Sequence, residues 1–327
     1  MTQTRTPRTE PTARIVRYAE RASGDIRVGV LVGGTVRPLP GLTRLADLLA
    51  LPLKEIRARV EDPDGRAADE QDIVLLPPGD GRMEVWASGV TYERSREARV
   101  EESSQATVYE QVYDAERPEL FLKSVPWRVV TDREPIGIRG DSAIDVPEPE
   151  LAVVVNAHAE IVGYTVCNDV SSRQIEGDNP LYLPQAKIYA GSCALAPGIR
   201  PAWELPDAHD LDITLSIDRR GTALWSGATS TRRLRRRIES LVTWLFREEH
   251  FPHGAVLATG TGLVPDLDIT LRPGDVVRIG ITGVGSLTNP VVEGKGAMEW
   301  LLHATDSVLS RENVRSRENV LSRENVR

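Results

Sequence analysis

The stretch PEPELAVVVNAHAEIVGYTVCNDVSSRQ, residues 147–174, carries the central structural signal of this sequence. Two runs rich in β-branched residues, ELAVVVN and EIVGYTVCNDV, are joined through residues 157–159. Runs of this composition with a short polar connection are typical of neighbouring antiparallel strands. The stretch therefore predicts two paired strands that return the chain on itself.

Three carboxylates lie at the open end of this predicted hairpin. In an extended segment alternate side chains share a face, so Glu148 and Glu150 can point to one place while Pro149 points away. Asp169 ends the partner run, and the return of the hairpin brings it close. Three hard oxygen ligands suit Mg²⁺ or Mn²⁺ and leave coordination positions for water and substrate. From the residues alone an alternative stays open, in which the glutamates are exposed strand-edge charges and Asp169 caps a turn.

The composition points to a soluble globular protein. Of the 327 residues, 40% are hydrophobic and 27% are charged, and no run of roughly 18 apolar residues could span a membrane. The N-terminus lacks the apolar stretch of a secretory signal, and two cysteines are too few for a disulfide framework. A formal charge of −8 argues against nucleic-acid binding. We expect a cytoplasmic protein with no membrane or nucleic-acid partner.

Two modules and two terminal segments are predicted. Residues 1–13, rich in Thr, Pro and Arg, are predicted to be disordered. Residues 14–82 combine the strand-like runs ARIVRY and RVGVLVGG with helical leucine spacing, which predicts a small α+β domain. A polar stretch then places the boundary near residues 78–84. Residues 83–306 read as a mostly β catalytic domain, so the fold class is α+β, mostly β.

Two features stand outside this core. Residues 232–237 place five arginines beside apolar residues that recur at helical spacing, which predicts an amphipathic helix over 232–250 with these arginines on its solvated side. Residues 307–327 repeat the unit SRENV three times and have little to bury. We interpret this tail as an appendage, either a short helix or a disordered extension, and leave it out of the functional argument.

Several motifs together resemble the fumarylacetoacetate hydrolase family over roughly residues 84–300. They are PEPELAVVV, GYTVCNDVS, TGTGLVP and LRPGDVVRIGITGVGSLTNPV, in this order. The resemblance implies a mixed β-sandwich roll, usually dimeric, so we expect a homodimer or homotetramer. It also implies Mg²⁺ bound by Glu148, Glu150 and Asp169, with Mn²⁺ as a possible substitute.

The same resemblance implies roles for two further residues. Lys187, in LPQAKIY, corresponds to the lysine that faces the metal-bound substrate, and Thr261, in ATGTG, corresponds to a threonine that helps to hold the substrate carboxylate. Spacing alone does not exclude that Lys187 is an ordinary exposed lysine. Thr261 has an alternative interpretation as a turn residue, because glycines flank it on both sides.

One departure from the family pattern bears on the reaction. Hydrolases of the family carry a histidine three residues after a tyrosine, and it activates water together with a glutamate; here Tyr92 is followed by Ser95. A serine is not a base near pH 7 without a partner. Hydrolytic C–C cleavage by that dyad is therefore not expected, and Ser95 and Arg96 are predicted to contact substrate instead.

The motifs GVTYERSREAR, ELFLK and NPLYLPQAKIY are most similar to the 2-dehydro-3-deoxy-D-arabinonate dehydratase branch of the family. The resemblance implies a metal-dependent hydro-lyase that acts on a 2-oxo-3-deoxy-pentonate. The substrate forms an enolate at C3 and loses the C4 hydroxyl, which gives 2,5-dioxopentanoate. Glu119 corresponds to a glutamate near the reacting carbons and is, with Lys187, a candidate acid or base; it could equally be a surface charge.

Two rival functions stay open from the sequence. The first is an acylpyruvate hydrolase or 2-oxo acid decarboxylase of the same family, in which Glu97, Glu101 or Glu102 replaces the missing dyad. The second is a non-catalytic binding or assembly protein that uses the repeated tail. Retention of the three carboxylates and Lys187 argues against the second, because buried like charges are costly to keep.

Overall fold

The structure is a computed structural model. It describes residues 12–102, 106–266, 268–304, 311, 314 and 315. Most of the predicted disordered N-terminus and most of the repetitive tail therefore lie outside the described residues.

Short strands make up most of the regular structure. The strands are β1 Arg14–Glu20, β2 Ile26–Val32, β3 Thr35–Pro38, β4 Ala68–Asp69, β5 Ile73–Leu76, β6 Glu84–Gly89, β7 Glu119–Ser124, β8 Ile136–Ile138, β9 Asp145–Val146, β10 Pro149–Val155, β11 Ile161–Asp169, β12 Ser171–Ser172, β13 Cys193–Leu195, β14 Gly198–Pro201, β15 Asp212–Arg219, β16 Thr222–Ser230, β17 Ala255–Ala258, β18 Val276–Ile281 and β19 Gly285–Glu293. The helices are α1 Leu45–Leu49, α2 Leu53–Glu61, α3 Glu93–Glu102, α4 Ala106–Asp114, α5 Arg173–Asp178, α6 Leu183–Lys187 and α7 Ile238–Leu245.

Two sheets carry the fold. The larger has the order β4-β3-β2-β1-β14-β11-β10-β17-β6-β7, with β13 added on β11 and β5 on β1. The smaller has the order β16-β15-β18-β19-β8. Most neighbours are antiparallel, but β17 runs parallel to β6, and β19 runs parallel to β8. This mixed, mostly β arrangement confirms the predicted fold class.

The predicted hairpin lies inside the larger sheet. β10 and β11 pair antiparallel, with Glu150 opposite Cys167, and β17 covers the other edge of β10. β10 is buried along its whole length, because core residues lie on both faces of the sheet. Leu151 and Val153 pack into one core, and Ala152 and Val154 pack into the other. By strand alternation, Glu150 lies on the face of Ala152 and Val154.

The N-terminal strands continue the larger sheet. β1 pairs with β14, which places Ile15 opposite Ile199. One core cluster also contains residues from both sides of the predicted boundary, including Leu45 and Ala152. The division of the chain into residues 14–82 and 83–306 stays a prediction, and any such division cuts through a shared sheet and a shared core.

Asp80 joins α1 to β1 within residues 14–82. Its carboxylate accepts hydrogen bonds from the backbone N–H groups of Leu45 (3.0 Å) and Ala46 (2.8 Å), at the start of α1. It also forms an ion pair with Arg17 of β1, at 2.9 Å. Arg44, at the cap position, provides no side-chain acceptor for α1, so Asp80 takes over this role from outside the helix.

We expect Asp80→Ala to lower the free energy of unfolding by about 3 kcal/mol, because it leaves two amides without an acceptor and Arg17 without its counter-ion. Chemical denaturation measures the change. Asp141→Ala is the matched control, since Asp141 is exposed and pairs with Arg139 at the surface. A loss no larger than that of the control would contradict the capping role of Asp80.

The prediction of a helix over residues 232–250 was wrong at its start. The helix α7 begins only at Ile238. The backbone before it is needed elsewhere: Leu234 forms a β-bridge with Tyr92, and the N–H of Arg235 donates to the carbonyl of Thr91 at 2.9 Å. Tertiary hydrogen bonds therefore outweigh helix propensity in this segment.

The arginines of this segment are nevertheless mostly exposed, as predicted. Arg236 is the exception, since its guanidinium donates to the carbonyls of Val112 (3.1 Å), Ala115 (2.6 Å) and Glu116 (3.0 Å). These carbonyls lie at the end of α4, where a helix lacks internal donors. Arg236 thus caps α4.

Among the described residues, no helix has both the length and the apolar character needed to cross a membrane.

Candidate metal centre

The predicted site lies at one end of β10 and β11, two interior strands of the larger sheet. β10 begins there, just after Glu148, and β11 ends there at Asp169. The N–H of Asp169 donates to the carbonyl of Glu148 at 3.0 Å, so the antiparallel pairing continues to the carboxylates themselves. The same hairpin register that the sequence predicts therefore brings all three acidic residues together.

The three carboxylates form a compact, buried triad. One oxygen from each of Glu148, Glu150 and Asp169 lies within 4.8 Å of the others. Their exposed fractions are 3%, 1% and 1%. Mg²⁺ prefers oxygen ligands, and these three carboxylates are the residues that would hold it. The prediction of exposed strand-edge charges does not fit this burial, whereas a hard divalent cation does.

Glu150 is the member of the triad that most needs a cation. Its carboxylate accepts a hydrogen bond at 2.7 Å from the N–H of Gly260. Burial raises the pKa of Glu150 well above its usual range, and the negative charges of Asp169 and Glu148 raise it further. A bound divalent cation would reverse this effect, because it favours the ionised form.

Lys187 reaches into the triad from the end of α6. Its Nζ lies 2.8 Å from Glu148, 3.1 Å from Asp169 and 2.6 Å from the hydroxyl of Ser171. It also lies 5.7 Å from the centre of the Phe121 ring. The structure therefore brings Lys187 to the carboxylates, and it is buried, so the interpretation as an exposed lysine was wrong.

Two further cations at the triad were missed by the sequence analysis. Lys123 is fully buried, forms an ion pair with Asp169 and donates to the carbonyls of Val170 and Lys187. Arg173 donates to Glu148 at 2.8 Å. The sequence contains a weak indication of each. Lys123 comes four residues after Glu119 in ELFLK, so strand alternation places the two on one face. Arg173 comes only four residues after Asp169 in the chain. With Lys187 they balance the three negative charges of the triad.

Glu119 lies on the same face of the sheet as the triad. It begins β7 and pairs with Gly89, while Phe121 pairs with Ala87, whose side chain is in the same core as Val154. Two residues apart on a strand share a face, so Glu119 points to the side of Phe121 and hence of Lys187. Its carboxylate is folded over Gly89, because a Cβ at Gly89 would lie only 2.7 Å from Glu119 Cδ.

Glycines occupy the two strand positions between Glu119 and Glu150. Gly89 ends β6, and Gly260 follows β17. A Cβ on Gly260 would lie 2.9 Å from the carbonyl of Ser88, so the two strands approach closely here. The floor between Glu119 and the triad therefore carries no side chain of its own, and the Glu119 carboxylate and the Thr91 hydroxyl lie directly against it.

Thr261 follows Gly260 and is buried. Its hydroxyl lies 3.1 Å from the carbonyl of Pro149 and 3.0 Å from that of Leu263, and it accepts from the N–H of Leu263 at 3.2 Å. These bonds fasten the turn to the start of β10. Turn chemistry is thus present, and contact of Thr261 with a substrate carboxylate stays a prediction.

Ser95 and Arg96 lie on α3, away from the triad along the chain. Ser95 is buried in the first turn of the helix. The guanidinium of Arg96 lies 5.0 Å from the centre of the Tyr113 ring and 3.7 Å from Glu93, so it is directed along the α3–α4 pair. Their predicted contact with substrate stays a prediction.

Comparison with known proteins agrees with this site. The sequence profile of the family described as fumarylacetoacetate (FAA) hydrolase, C-terminal, matches residues 84–292. A probable 2-keto-3-deoxyxylonate dehydratase of Haloferax volcanii is 43% identical over 258 residues, which are 78% of this chain and 88% of that protein. The 2-dehydro-3-deoxy-D-arabinonate dehydratase of Saccharolobus solfataricus is 47% identical over 224 residues, which are 67% of this chain and 75% of that protein.

A solved structure shares the fold. It is a 2-keto-3-deoxy-D-arabinonate dehydratase complexed with magnesium and 2,5-dioxopentanoate. The two chains are 36% identical with a TM-score of 0.74, and the match covers 86% of this chain and 99% of the other. Together with the profile match and the two relatives, this likeness shows that the chain belongs to the fumarylacetoacetate hydrolase family.

Proposed function

We propose that this protein is a Mg²⁺-dependent dehydratase. It converts a 2-oxo-3-deoxy-pentonate, such as 2-dehydro-3-deoxy-D-arabinonate, to 2,5-dioxopentanoate. The observation that carries the proposal is the buried triad of Glu148, Glu150 and Asp169, with Glu119 on the same face of the sheet. The relatives described above, which are named as dehydratases, support the same reaction.

In this proposal Glu148, Glu150 and Asp169 hold the ion, and Mn²⁺ is a possible substitute because it has the same preference for oxygen ligands. When bound, Mg²⁺ supplies a Lewis acid for the 2-oxo carboxylate of the substrate. Arg173 and Lys123 orient Glu148 and Asp169 from behind. These two cations thereby fix the directions in which the carboxylate oxygens point.

Lys187 and Glu119 move the protons. The ammonium of Lys187 is held by two carboxylates and a hydroxyl, so its nitrogen carries protons and has no lone pair to offer. Glu119 is a partly exposed carboxylate across the glycine floor. This arrangement favours Glu119 as the base at C3 and Lys187 as the donor toward the departing C4 hydroxyl. Loss of water leaves a double bond between C3 and C4. Removal of a proton from C5 and return of a proton to C3 move this bond to C4–C5, and the resulting enol takes up a proton at C4 to become the aldehyde.

Ser95 distinguishes this proposal from the hydrolase alternative. Acylpyruvate cleavage needs a group that activates water, and Ser95 stands where hydrolases of the family carry histidine. Glu97, a possible substitute, is exposed and lies 3.7 Å from Arg94. The non-catalytic alternative is disfavoured because the three buried carboxylates converge on one point, an arrangement of hard oxygens that suits a divalent cation.

An assay of the purified protein tests the proposal. It follows 2,5-dioxopentanoate formation from 2-dehydro-3-deoxy-D-arabinonate with Mg²⁺, beside a parallel acylpyruvate cleavage assay. We expect dioxopentanoate formation that EDTA stops and added Mg²⁺ restores. Acylpyruvate cleavage alone would favour the hydrolase, and no turnover in either assay together with no bound Mg²⁺ would favour a non-catalytic protein.

We expect Gly89→Ala to lower kcat at least tenfold while Mg²⁺ binding stays unchanged. Gly89 is in extended conformation, so alanine fits the backbone, but its methyl group takes the place of the Glu119 carboxylate. Steady-state kinetics and Mg²⁺ titration measure the two effects. Gly79→Ala is the matched control, because a Cβ there meets its nearest atom at 3.8 Å.

A double variant shows whether Gly89 acts through Glu119. If it does, Gly89→Ala causes no further loss of kcat in a Glu119→Gln protein, since the carboxylate that it displaces is already inactive. If the fold-losses of kcat in the two single variants multiply in the double variant, the alanine at position 89 disturbs the site by a route other than Glu119.

We also propose a cytoplasmic homodimer or homotetramer. Both cysteines, Cys167 and Cys193, are buried and free, which suits a reducing compartment. Trp127 and Leu302 are large, partly exposed apolar residues that line the same groove, and such surface is typical of subunit contacts. Light scattering coupled to gel filtration tests the assembly, and a monomer at micromolar concentration would contradict it.

A further inference from the structure

A second buried carboxylate lies far from the triad. Glu134 has no exposed surface and accepts a hydrogen bond at 2.8 Å from the N–H of Thr131, in a tight turn. The side-chain amide of Asn289 donates to the carbonyls of Thr131 and Glu134, at 2.9 and 2.8 Å. Glu134 is therefore held rigidly, and its charge needs a cation close by.

Two arginines of the repetitive tail supply this charge. Arg311 lies 2.6 Å from one oxygen of Glu134, and Arg315 lies 2.9 Å from the other. Arg311 is 4% exposed, and its guanidinium lies 5.6 Å from the centre of the Trp300 ring. Such depth and double pairing are not expected of an appendage, so the interpretation of the tail needs revision.

The docked arginines also connect distant parts of the chain. Arg315 donates to the carbonyl of Leu75 on β5 at 2.9 Å, while it pairs with Glu134. Leu75 belongs to the N-terminal strands and Glu134 to the segment before β8. Arg311 and Arg315 thus form a clasp that joins these two parts.

The tail carries the clasp sequence twice. Residues 311–315 read RENVR, residues 317–321 read RENVL, and residues 323–327 read RENVR again. The middle copy lacks the second arginine and has Leu321 instead. The last copy begins twelve residues after the first, and this longer tether costs little free energy for a polar linker.

We propose that the pocket around Glu134 is a receptor for the sequence Arg-Glu-Asn-Val-Arg. Arg311 and Arg315 of the first copy occupy it, and the copy at 323–327 takes their place when the first is disabled. The pocket recognises two guanidinium groups four residues apart, one on each oxygen of a single buried carboxylate.

Limited trypsin digestion of the full-length protein tests the docking. The bonds Arg311–Glu312, Arg317–Glu318 and Arg323–Glu324 share the same flanking residues RENV, so differences in their cleavage rates report on protection. We expect cleavage after Arg311 to be at least tenfold slower than cleavage after Arg317. Equal rates at these two bonds would overturn the proposal.

The variant Arg311→Ala/Arg315→Ala tests whether the copy at 323–327 docks in place of the first copy. Here we expect cleavage after Arg323 to become slower than cleavage after Arg317, because the last copy is now docked. Thermal unfolding gives a second measure. Further replacement of Arg323 and Arg327 by alanine is expected to lower Tm by about 5 °C or more below that double variant, since Glu134 then lacks a cation.

The control is Arg59→Ala/Arg233→Ala, which removes two exposed arginines and is expected to leave Tm unchanged. If the fourfold alanine variant does not fold, the trypsin comparison in the double variant still shows whether the last copy docks in place of the first. Cleavage after Arg323 as fast as after Arg317 would show that the last copy does not replace the first, and the proposal would fail. None of these measurements depends on turnover, so they stand apart from the proposed dehydratase activity.

Discussion

Glu150→Gln is expected to abolish Mg²⁺-dependent turnover and, at the same time, to stabilise the metal-free protein. The carboxylate is buried, and its pKa is raised by burial and by the charges of Asp169 and Glu148. Glutamine has the same shape and keeps the bond from the N–H of Gly260, but it carries no charge. Repulsion in the empty triad falls, and one of the three anionic ligands is lost.

Three measurements separate these effects. Turnover should fall by about 10³-fold or more, Mg²⁺ titration should show weaker binding, and the Tm of the metal-free protein should rise while its increase with Mg²⁺ disappears. Asp145→Asn is the matched control: Asp145 is a buried carboxyl outside the triad, and burial raises its pKa to about 6. It should keep full Mg²⁺-dependent turnover. A Glu150→Gln protein with normal turnover would remove Glu150 from the site.

The raised pKa of Glu150 also predicts how Mg²⁺ binding depends on pH. The folded, metal-free protein holds a proton on Glu150 at pH values where the unfolded chain has released it. Its free energy of unfolding therefore falls as pH rises above the ordinary range of a glutamate, toward the raised pKa. Mg²⁺ displaces this proton, so its affinity should rise over the same interval. Calorimetry in buffers of different ionisation enthalpy measures the released proton, and glutamine at position 150 should remove that release.

The triad was predictable because it depends on local geometry. A short connection between two apolar runs fixes the hairpin register, and the register alone brings Asp169 beside Glu148 and Glu150. Strand alternation then places the two glutamates on one face. No information from distant parts of the chain was needed for this part of the site.

The partners of the triad depend on distant contacts, and the sequence did not reveal them. Lys123 lies on β7, which is four strands away from β11 in the order of the sheet, so local spacing could not predict its ion pair with Asp169. Arg173 was adjacent in sequence, but nothing in its spacing showed that it turns inward. The same reason explains the wrong start of the helix at 232, where the bridge between Leu234 and Tyr92 uses the backbone. Single-sequence patterns do not record which surface a segment will meet.

Lys187→Met is expected to lower turnover by about 10²- to 10⁴-fold while Mg²⁺ still binds. The ammonium contacts Glu148, Asp169 and Ser171 but is not itself a metal ligand. Methionine fills a similar volume and cannot donate a proton. All three carboxylates remain, so the metal-binding set is complete.

Removal of this charge also changes stability in a way that depends on the metal. Without Lys187, Glu148 and Asp169 lose one buried counter-ion, so the metal-free protein should have a lower Tm than the wild type. Bound Mg²⁺ offsets the lost charge, and the increase in Tm on Mg²⁺ addition should therefore be larger than in the wild type. Lys295→Met, which changes an exposed lysine, should alter neither quantity.

The two measurements together separate catalysis from structure. If Lys187 only balanced charge, saturating Mg²⁺ would restore both Tm and turnover in Lys187→Met. If it donates the proton to the departing hydroxyl, Tm returns to the wild-type value and turnover stays low. Recovery of turnover along with Tm would leave Glu119 as the one proton-transfer group of the proposed mechanism, and the donor would then have to be water bound within the site.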